Sequence, residues 1–153
     1  MKVYELKREQ LLKTDIKTAW TYFSNPKNLN EITPPDLNFE IISELKENMY
    51  NGQIIIYKIG ILPGIKQSWV TEIKAVEPGK MFIDEQRFGP YKFWHHKHIF
   101  EETEKGVLAI DLIHYSLPFG FIGRLVYNLF VKSKLNEIFT YRYNTLEERF
   151  NKF

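Results

Sequence analysis

The sequence predicts a single α+β domain in which a curved antiparallel β-sheet wraps around one long C-terminal helix, with two short helices after the first strand. Three observations lead to this class. Apolar residues between 37 and 117 alternate at the period of β-strands, short turns separate these segments, and residues 121 to about 150 keep a helical period. The length of 153 residues suits one core, so residues 1–153 are predicted to form one unit.

The N-terminal segment predicts one strand and two short helices. Residues 3–12 alternate between apolar and polar side chains, which is typical of a strand. Thr14 or Asp15 can cap a helix that begins at Ile16. Asn25-Pro26 then predicts a second short helix, because proline is favoured at the first helical position.

The middle of the chain predicts an antiparallel meander. The predicted strands cover residues 37–45, 53–59, 65–76, 81–88, 92–102 and 107–117. Turn signals such as Asn51-Gly52, Pro63-Gly64 and Gly89-Pro90 separate them. Short turns join strands that run in opposite directions, so neighbouring strands are expected to pair with each other.

The C-terminal segment predicts one long helix. Residues 121 to about 150 contain no proline, and the only glycine there is Gly123, near the start. One face of the sheet needs cover, and this helix must supply it. A straight helix does not fill a curved sheet, so we expect a cavity between the two.

Composition excludes several classes of function. The formal net charge is only +2 and no run of Lys or Arg occurs, so no nucleic-acid partner is predicted. Without cysteine, there is neither a disulfide nor a thiolate site. No stretch reaches the ~20 apolar residues of a membrane span, and the first residues do not resemble a secretory leader, so a cytoplasmic protein is predicted.

A polar cluster is predicted on the strands between residues 81 and 117. Alternation places His96 and His98 on the same face as the large apolar side chains of Trp94 and Phe100, so this face is expected to point inward. Polar side chains of the neighbouring strands and Arg142 of the helix are expected to join them. The candidate ligand-binding residues are Trp69, Asp84, Gln86, Trp94, His96, His98, Asp111, Tyr115 and Arg142.

Three chemical interpretations of this cluster stay open. Two histidines at i and i+2 with a carboxylate could bind a metal ion, but no further histidine at metal-site spacing supports this, so no metal and no cofactor are predicted. A His–Asp pair could act as a general acid or base. Ligand binding or hydrogen-bonded pairing within a cavity wall is the interpretation that the pattern favours. His95 and His114 fall on the outer faces and are expected to be solvated.

The motifs of the chain also carry a family resemblance. They are Phe23-Ser24-Asn25-Pro26, Ile32-Thr33-Pro34-Pro35, Trp69-Val70-Thr71-Glu72-Ile73, Phe82-Ile83-Asp84-Glu85-Gln86, Gly89-Pro90-Tyr91, the run Trp94 to Phe100, the run Asp111 to Tyr115, and Tyr141-Arg142. With them the sequence resembles the START-like (SRPBCC) superfamily. It is most similar to a bacterial branch described as polyketide cyclase/dehydrase-like. The resemblance implies the helix-grip fold, which hosts binders, carriers and enzymes alike.

The sequence thus predicts binding of a hydrophobic or aromatic small molecule, lipid- or polyketide-like, between the sheet and the C-terminal helix. Apolar walls are expected from Phe39, Ile41, Trp69, Ile73, Phe82, Trp94, Phe100 and Ile113. The alternative is a cyclase- or dehydratase-type enzyme. In it, His96 or His98 would move protons, and Arg142 or Tyr115 would stabilise an enolate oxygen. A third class is a protein–protein module whose interior is packed by its own side chains.

Overall fold

Seven antiparallel strands form one open sheet in the computed structural model, which describes residues 2–62, 65–126 and 130–152. The strands are β1 (Tyr4–Leu12), β2 (Glu40–Ile41), β3 (Ile54–Leu62), β4 (Ile65–Glu77), β5 (Met81–Phe88), β6 (Phe93–Thr103) and β7 (Gly106–Ser116). Their order is β1-β7-β6-β5-β4-β3-β2. The predicted meander from β2 to β7 is therefore confirmed, and β1 pairs with the last strand along its whole length.

The helices follow the predicted order. They are α1 (Ile16–Phe23), two 3₁₀ helices (Pro26–Asn30 and Pro35–Leu37), α2 (Gly120–Val126) and α3 (Lys132–Phe150). Asp15 caps α1, since its Oδ1 accepts a hydrogen bond of 2.9 Å from the Thr18 backbone N–H. Among the described residues, no helix is both long enough and apolar enough to cross a membrane.

The strand predicted at residues 37–45 is much shorter than expected. Leu37 ends a 3₁₀ helix, and Asn38 adopts a left-handed conformation with φ of 46°, so the chain becomes extended only at β2. After β2, the backbone N–H groups of Ile42 and Ser43 both donate to the Ile56 carbonyl, and Ser43 Oγ accepts from the Ile56 N–H. This side-chain hydrogen bond replaces the regular ladder and ends the strand.

The predicted long C-terminal helix is described as two helical segments, α2 and α3. Residues 127–129 lie outside the described residues, so the prediction of one continuous helix is tested only on either side of them. The buried positions of α3 recur at spacings of four, three, four and four residues, which is one helix face. They are Leu135, Phe139, Arg142, Leu146 and Phe150.

This face of α3 covers the inner face of the sheet through two apolar clusters. Leu146 and Phe150 pack with Leu12, Phe100 and residues of α1. Leu135 and Phe139 pack with Trp69, Trp94 and Ile113 near the other end of the helix. Arg142 lies between the two clusters on the helix, as His96 and His98 lie between Trp94 and Phe100 on β6. The fold therefore places polar side chains of the helix and the sheet at the same level.

Candidate functional site

A cavity of about 920 Å³ lies between the sheet and α3. Its walls come from the inward faces of β3, β4, β5 and β6, from α1 and the 3₁₀ helices, and from α3. Most of the lining side chains are apolar or aromatic. Five of the predicted apolar wall residues line it, namely Phe39, Trp69, Ile73, Phe82 and Trp94.

Three predicted wall residues are not part of the lining. Ile113 is fully buried among core side chains. Phe100 packs edge-on against Trp20, with ring centroids 5.9 Å apart, so it closes the core beneath α1. Ile41 belongs to the short edge strand β2 and also lies away from the lining. Facing inward was therefore not sufficient for these side chains to reach the cavity.

Strand register assembles the polar cluster. Asp84 of β5 lies directly opposite His96 of β6, and His98 lies directly opposite Asp111 of β7. Residues two positions apart on one strand share a face, so each histidine is also the diagonal neighbour of the other aspartate. We define the inner cluster as Asp84, His96, His98, Asp111 and Arg142.

The distances within the inner cluster are those of direct contacts. Asp84 Oδ2 lies 2.6 Å from His98 Nε2 and 3.2 Å from His96 Nδ1. Asp111 Oδ1 lies 2.8 Å from His96 Nε2 and 3.2 Å from His98 Nδ1. The two imidazole rings lie between the carboxylates, tilted by 33° to each other, with centroids 3.7 Å apart. Each histidine therefore lies between two carboxylates.

Arg142 approaches the cluster from α3, as the sequence predicts. Its Nη2 lies 3.2 Å from Asp111 Oδ1, and its side chain is only 9% exposed. The guanidinium carbon lies 5.5 Å from the ring centroid of Phe23 and 5.9 Å from that of Phe139. Aromatic faces stabilise a cation at such distances, so Arg142 is held by both the carboxylate and the rings.

Aromatic side chains fix the other members of the cluster. The Trp94 indole Nε1–H donates a hydrogen bond of 3.1 Å to Asp84 Oδ1. Phe82 stacks on the His98 ring at a centroid distance of 4.2 Å. The cluster is thus a polar patch in an aromatic wall, and aromatic rings pack against its members.

The pKa values follow from burial and from opposite charges. Burial raises the pKa of Asp84, but the charge of His96 and the hydrogen bonds from both imidazoles outweigh it and hold that pKa well below its ordinary 3.8. Burial also raises the pKa of Asp111, and the Arg142 charge and the same imidazoles again hold it well below 3.8. Burial lowers the pKa of His96, but the Asp84 charge and the hydrogen bond to Asp111 raise it above 6.5.

Six of the nine candidate ligand-binding residues line the cavity, namely Trp69, Asp84, Trp94, His96, His98 and Arg142. The other three, Asp111, Gln86 and Tyr115, are not among the residues that line it. Asp111 lies behind the imidazoles and holds them rather than facing the cavity. Gln86 exchanges hydrogen bonds with the backbone of Tyr91 and braces the turn between β5 and β6. Tyr115 is buried among Tyr4, Tyr91 and Trp94.

The two remaining histidines lie on the outer face of the sheet, as predicted. His95 Nδ1 is 2.9 Å from Glu85 Oε1, and His114 Nε2 is 3.1 Å from Glu5 Oε2. Both pairs are more exposed than the inner cluster. They supply matched controls for variants of His96 and His98.

Two tyrosines of the cavity wall were not predicted from the sequence. Tyr57 lines the cavity, its hydroxyl lies 3.2 Å from Thr71 Oγ1, and burial followed by the Asp84 charge raises its pKa, so the phenol stays neutral. Its alternation with Ile55 and Ile59 in β3 was a usable signal. Tyr91 also lines the cavity and follows the Gly89-Pro90 turn, where no periodic pattern indicates a direction.

Solved structures share the fold of this chain, whereas no family model and no curated protein matches it. A protein of Chromobacterium violaceum is similar with a TM-score of 0.72 and 11% identity over 97% of this chain and 99% of that one. A protein of Thermus thermophilus has a TM-score of 0.66 and 17% identity over 95% and 96%. A nucleoside-diphosphate sugar epimerase of Corynebacterium glutamicum has a TM-score of 0.65 and 21% identity over 94% of this chain and 28% of that one. At these identities the similarity shows the fold alone.

Proposed function

We propose that this chain is a helix-grip domain of the START-like kind that binds a hydrophobic or aromatic small molecule between the sheet and α3. The observation that carries the proposal is the cavity of about 920 Å³, with aromatic walls and one convergent polar cluster. Ligand sites in proteins have volumes of roughly 300–1,000 Å³ and combine apolar walls with a few placed polar groups. The apolar walls would supply affinity, and Asp84, His96, His98 and Arg142 would orient the molecule.

The margin of the cavity supports an apolar ligand. Phe119, Ile122 and Phe130 line the cavity and are also 80%, 65% and 66% exposed. Side chains that reach both the cavity and the solvent lie at its mouth. Exposed apolar groups that continue into an apolar cavity are typical of a ligand entrance.

Replacing Ile59 with glutamate is expected to weaken binding of the apolar dye Nile red by about tenfold or more. Ile59 lines the cavity from β3, and losing its contact with an apolar ligand removes about 1.5–3 kcal/mol. Ile56→Glu is the matched control, because Ile56 lies on the opposite face of the same strand and is already 37% exposed. Fluorescence titration with EDTA present measures both affinities. Wild-type protein without saturable dye binding, or an equal loss in Ile56→Glu, would contradict the proposal.

The second candidate function is the cyclase- or dehydratase-type enzyme. The specific observation in its favour is that His96, His98 and Arg142 all line the cavity, where a proton carrier and a cation could act on one carbonyl compound. Tyr115 does not line the cavity, because it is buried in the core, so it has no role in this candidate mechanism. Arg142 then remains as the group that would stabilise an enolate oxygen.

Proton exchange at the activated carbon of benzoylacetone in D₂O tests the second candidate. The enzyme interpretation expects the wild-type protein to accelerate exchange, and His96→Ala or His98→Ala to reduce the acceleration by about 10²–10⁴-fold. His95→Ala, on the outer face, is expected to leave the rate unchanged. Exchange is followed by proton NMR. A wild-type rate equal to that of buffer, or equal to the rates of both histidine variants, would contradict the enzyme interpretation.

A further inference from the structure

Three side chains of the inner cluster each bring one atom that can bind a metal ion close to the others. His96 Nδ1 and His98 Nε2 lie 3.2 and 2.6 Å from Asp84 Oδ2. The donor atoms of these three residues all lie within 4.8 Å of one another. Zn²⁺ and similar ions bind imidazole nitrogen and carboxylate oxygen at about 2.0–2.2 Å, which separates neighbouring ligands by roughly 3.3 Å. Small side-chain rotations would therefore bring all three donors to one ion.

The second nitrogen of each imidazole faces Asp111. His96 Nε2 lies 2.8 Å from Asp111 Oδ1, and His98 Nδ1 lies 3.2 Å from the same oxygen without a hydrogen-bonding angle. A histidine that binds a metal ion usually donates its other N–H to a carboxylate, which fixes the ring and its tautomer. Asp111 is placed to do this for both rings, and ligation through Nε2 would direct the His98 Nδ1–H toward it.

The charge of the inner cluster favours a cation. With both imidazoles neutral, the two carboxylates exceed the single guanidinium of Arg142 by one negative charge. A buried net charge is costly unless something balances it. A bound metal ion can balance it, and the ligands of such an ion bind in their deprotonated form.

We infer that Asp84, His96 and His98 form a binding site for a divalent transition-metal ion of the Zn²⁺ or Fe²⁺ class, held from behind by Asp111. Two imidazoles and one carboxylate are the protein ligands of metal sites that keep open positions. All three residues line the cavity, so the open positions would face it and could accept a water or an oxygen atom of a bound molecule. The inference goes beyond the proposed function, because binding an apolar molecule needs no ion.

Cross-strand register explains why the sequence pattern favoured hydrogen-bonded pairing over a metal site. The pattern contains only the His96–His98 pair at i and i+2, and no further histidine at metal-site spacing. The third donor comes from β5, twelve residues before His96, through the Asp84–His96 register. The sequence pattern already allowed two histidines with a carboxylate, and the register identifies that carboxylate as Asp84.

Titration of the wild-type protein with Co²⁺, after removal of metals with EDTA and dialysis, tests the site without any organic ligand. Visible d–d absorption and calorimetry are expected to show saturable binding of one ion per chain, with Zn²⁺ displacing Co²⁺. His98→Ala and His98→Phe are expected to weaken Co²⁺ binding more than 100-fold, and Asp111→Asn by about 10–100-fold. His114→Ala, on the outer face, is expected to bind as the wild type does.

Absence of saturable Co²⁺ binding in the wild type would overturn the inference. Binding that survives both His98 variants, or that His114→Ala abolishes, would overturn it too. His98→Phe keeps a ring stacked on Phe82, and circular dichroism confirms that each variant is folded. Nile red binding in EDTA stays a separate readout: dye binding without Co²⁺ binding overturns only the metal site, and the reverse overturns only the proposed function.

Discussion

Replacing Arg142 with methionine is expected to lower the free energy of unfolding by about 3–5 kcal/mol, because it leaves the buried carboxylate of Asp111 without its cation. Arg142 Nη2 lies 3.2 Å from Asp111 Oδ1, and both side chains are at most 15% exposed. Methionine keeps the apolar contacts with Phe23 and Phe139, so the loss of stability comes from removing the charge and not from creating a cavity. Urea unfolding followed by circular dichroism measures it.

Arg149→Met is the matched control on the same helix. Arg149 pairs with Glu31 at 2.7 Å, but its side chain is 46% exposed, so the expected loss is about 1 kcal/mol or less. The double variant Arg142→Met/Asp111→Asn removes both charges. Its loss of unfolding free energy is expected to be smaller than the sum of the losses in Arg142→Met and Asp111→Asn. Equal losses for Arg142→Met and Arg149→Met would contradict a buried ion pair. So would a double variant whose loss equals the sum of the single losses.

The inner cluster was predictable from the sequence because a strand has a fixed side-chain period. Trp94, His96, His98 and Phe100 alternate without interruption on β6, and two large apolar residues identify the inward face. Once that face is known, the only inward acidic residues on the neighbouring strands are Asp84 and Asp111. The inward position of Arg142 was predictable because it lies at helical spacing from apolar residues of the same helix. These positions depend on local periodicity alone.

The period-two pattern did not indicate which inward side chains reach the cavity. Between β4 and β5 the register shifts, so that Val70 pairs with Phe88 while Thr71 pairs with Gln86. Gln86 still pairs with the inward Thr71, but it lies beside this irregularity and bonds to the backbone of Tyr91, which itself lines the cavity. Tyr115 does face inward, but neighbouring aromatic rings bury it where the sheet and α3 leave no space. Which inward residues line a cavity depends on the shape of the whole sheet, and period-two alternation does not encode that shape.

Stability is expected to be greatest between about pH 4 and pH 6.5 and to fall on both sides, in buffer that contains EDTA. Asp84 and Asp111 have pKa values lowered by folding, so their stabilisation is present above the ordinary 3.8 and is lost as the pH falls toward their folded values. His96 has a pKa raised by folding. Its stabilisation is complete below the ordinary 6.5 and is lost as the pH rises through its folded value.

The loss of stability above pH 6.5 is expected to come from His96, because its deprotonation leaves the inner cluster with one net negative charge. The titratable groups in contact with His96 are Asp84 of β5, His98 of β6 and Asp111 of β7, and Arg142 of α3 pairs with Asp111. In His96→Gln, the free energy of unfolding is expected to stay constant above pH 6.5 but still to fall at acid pH. In His95→Ala, on the outer face, it is expected to fall at both acid and alkaline pH, as in the wild type. Urea unfolding across the pH range measures the three curves. Stability that rises between pH 6.5 and pH 9 in the wild type would show that Asp84 and Asp111 do not hold a proton on His96. The cluster would then need another cation to balance its charge.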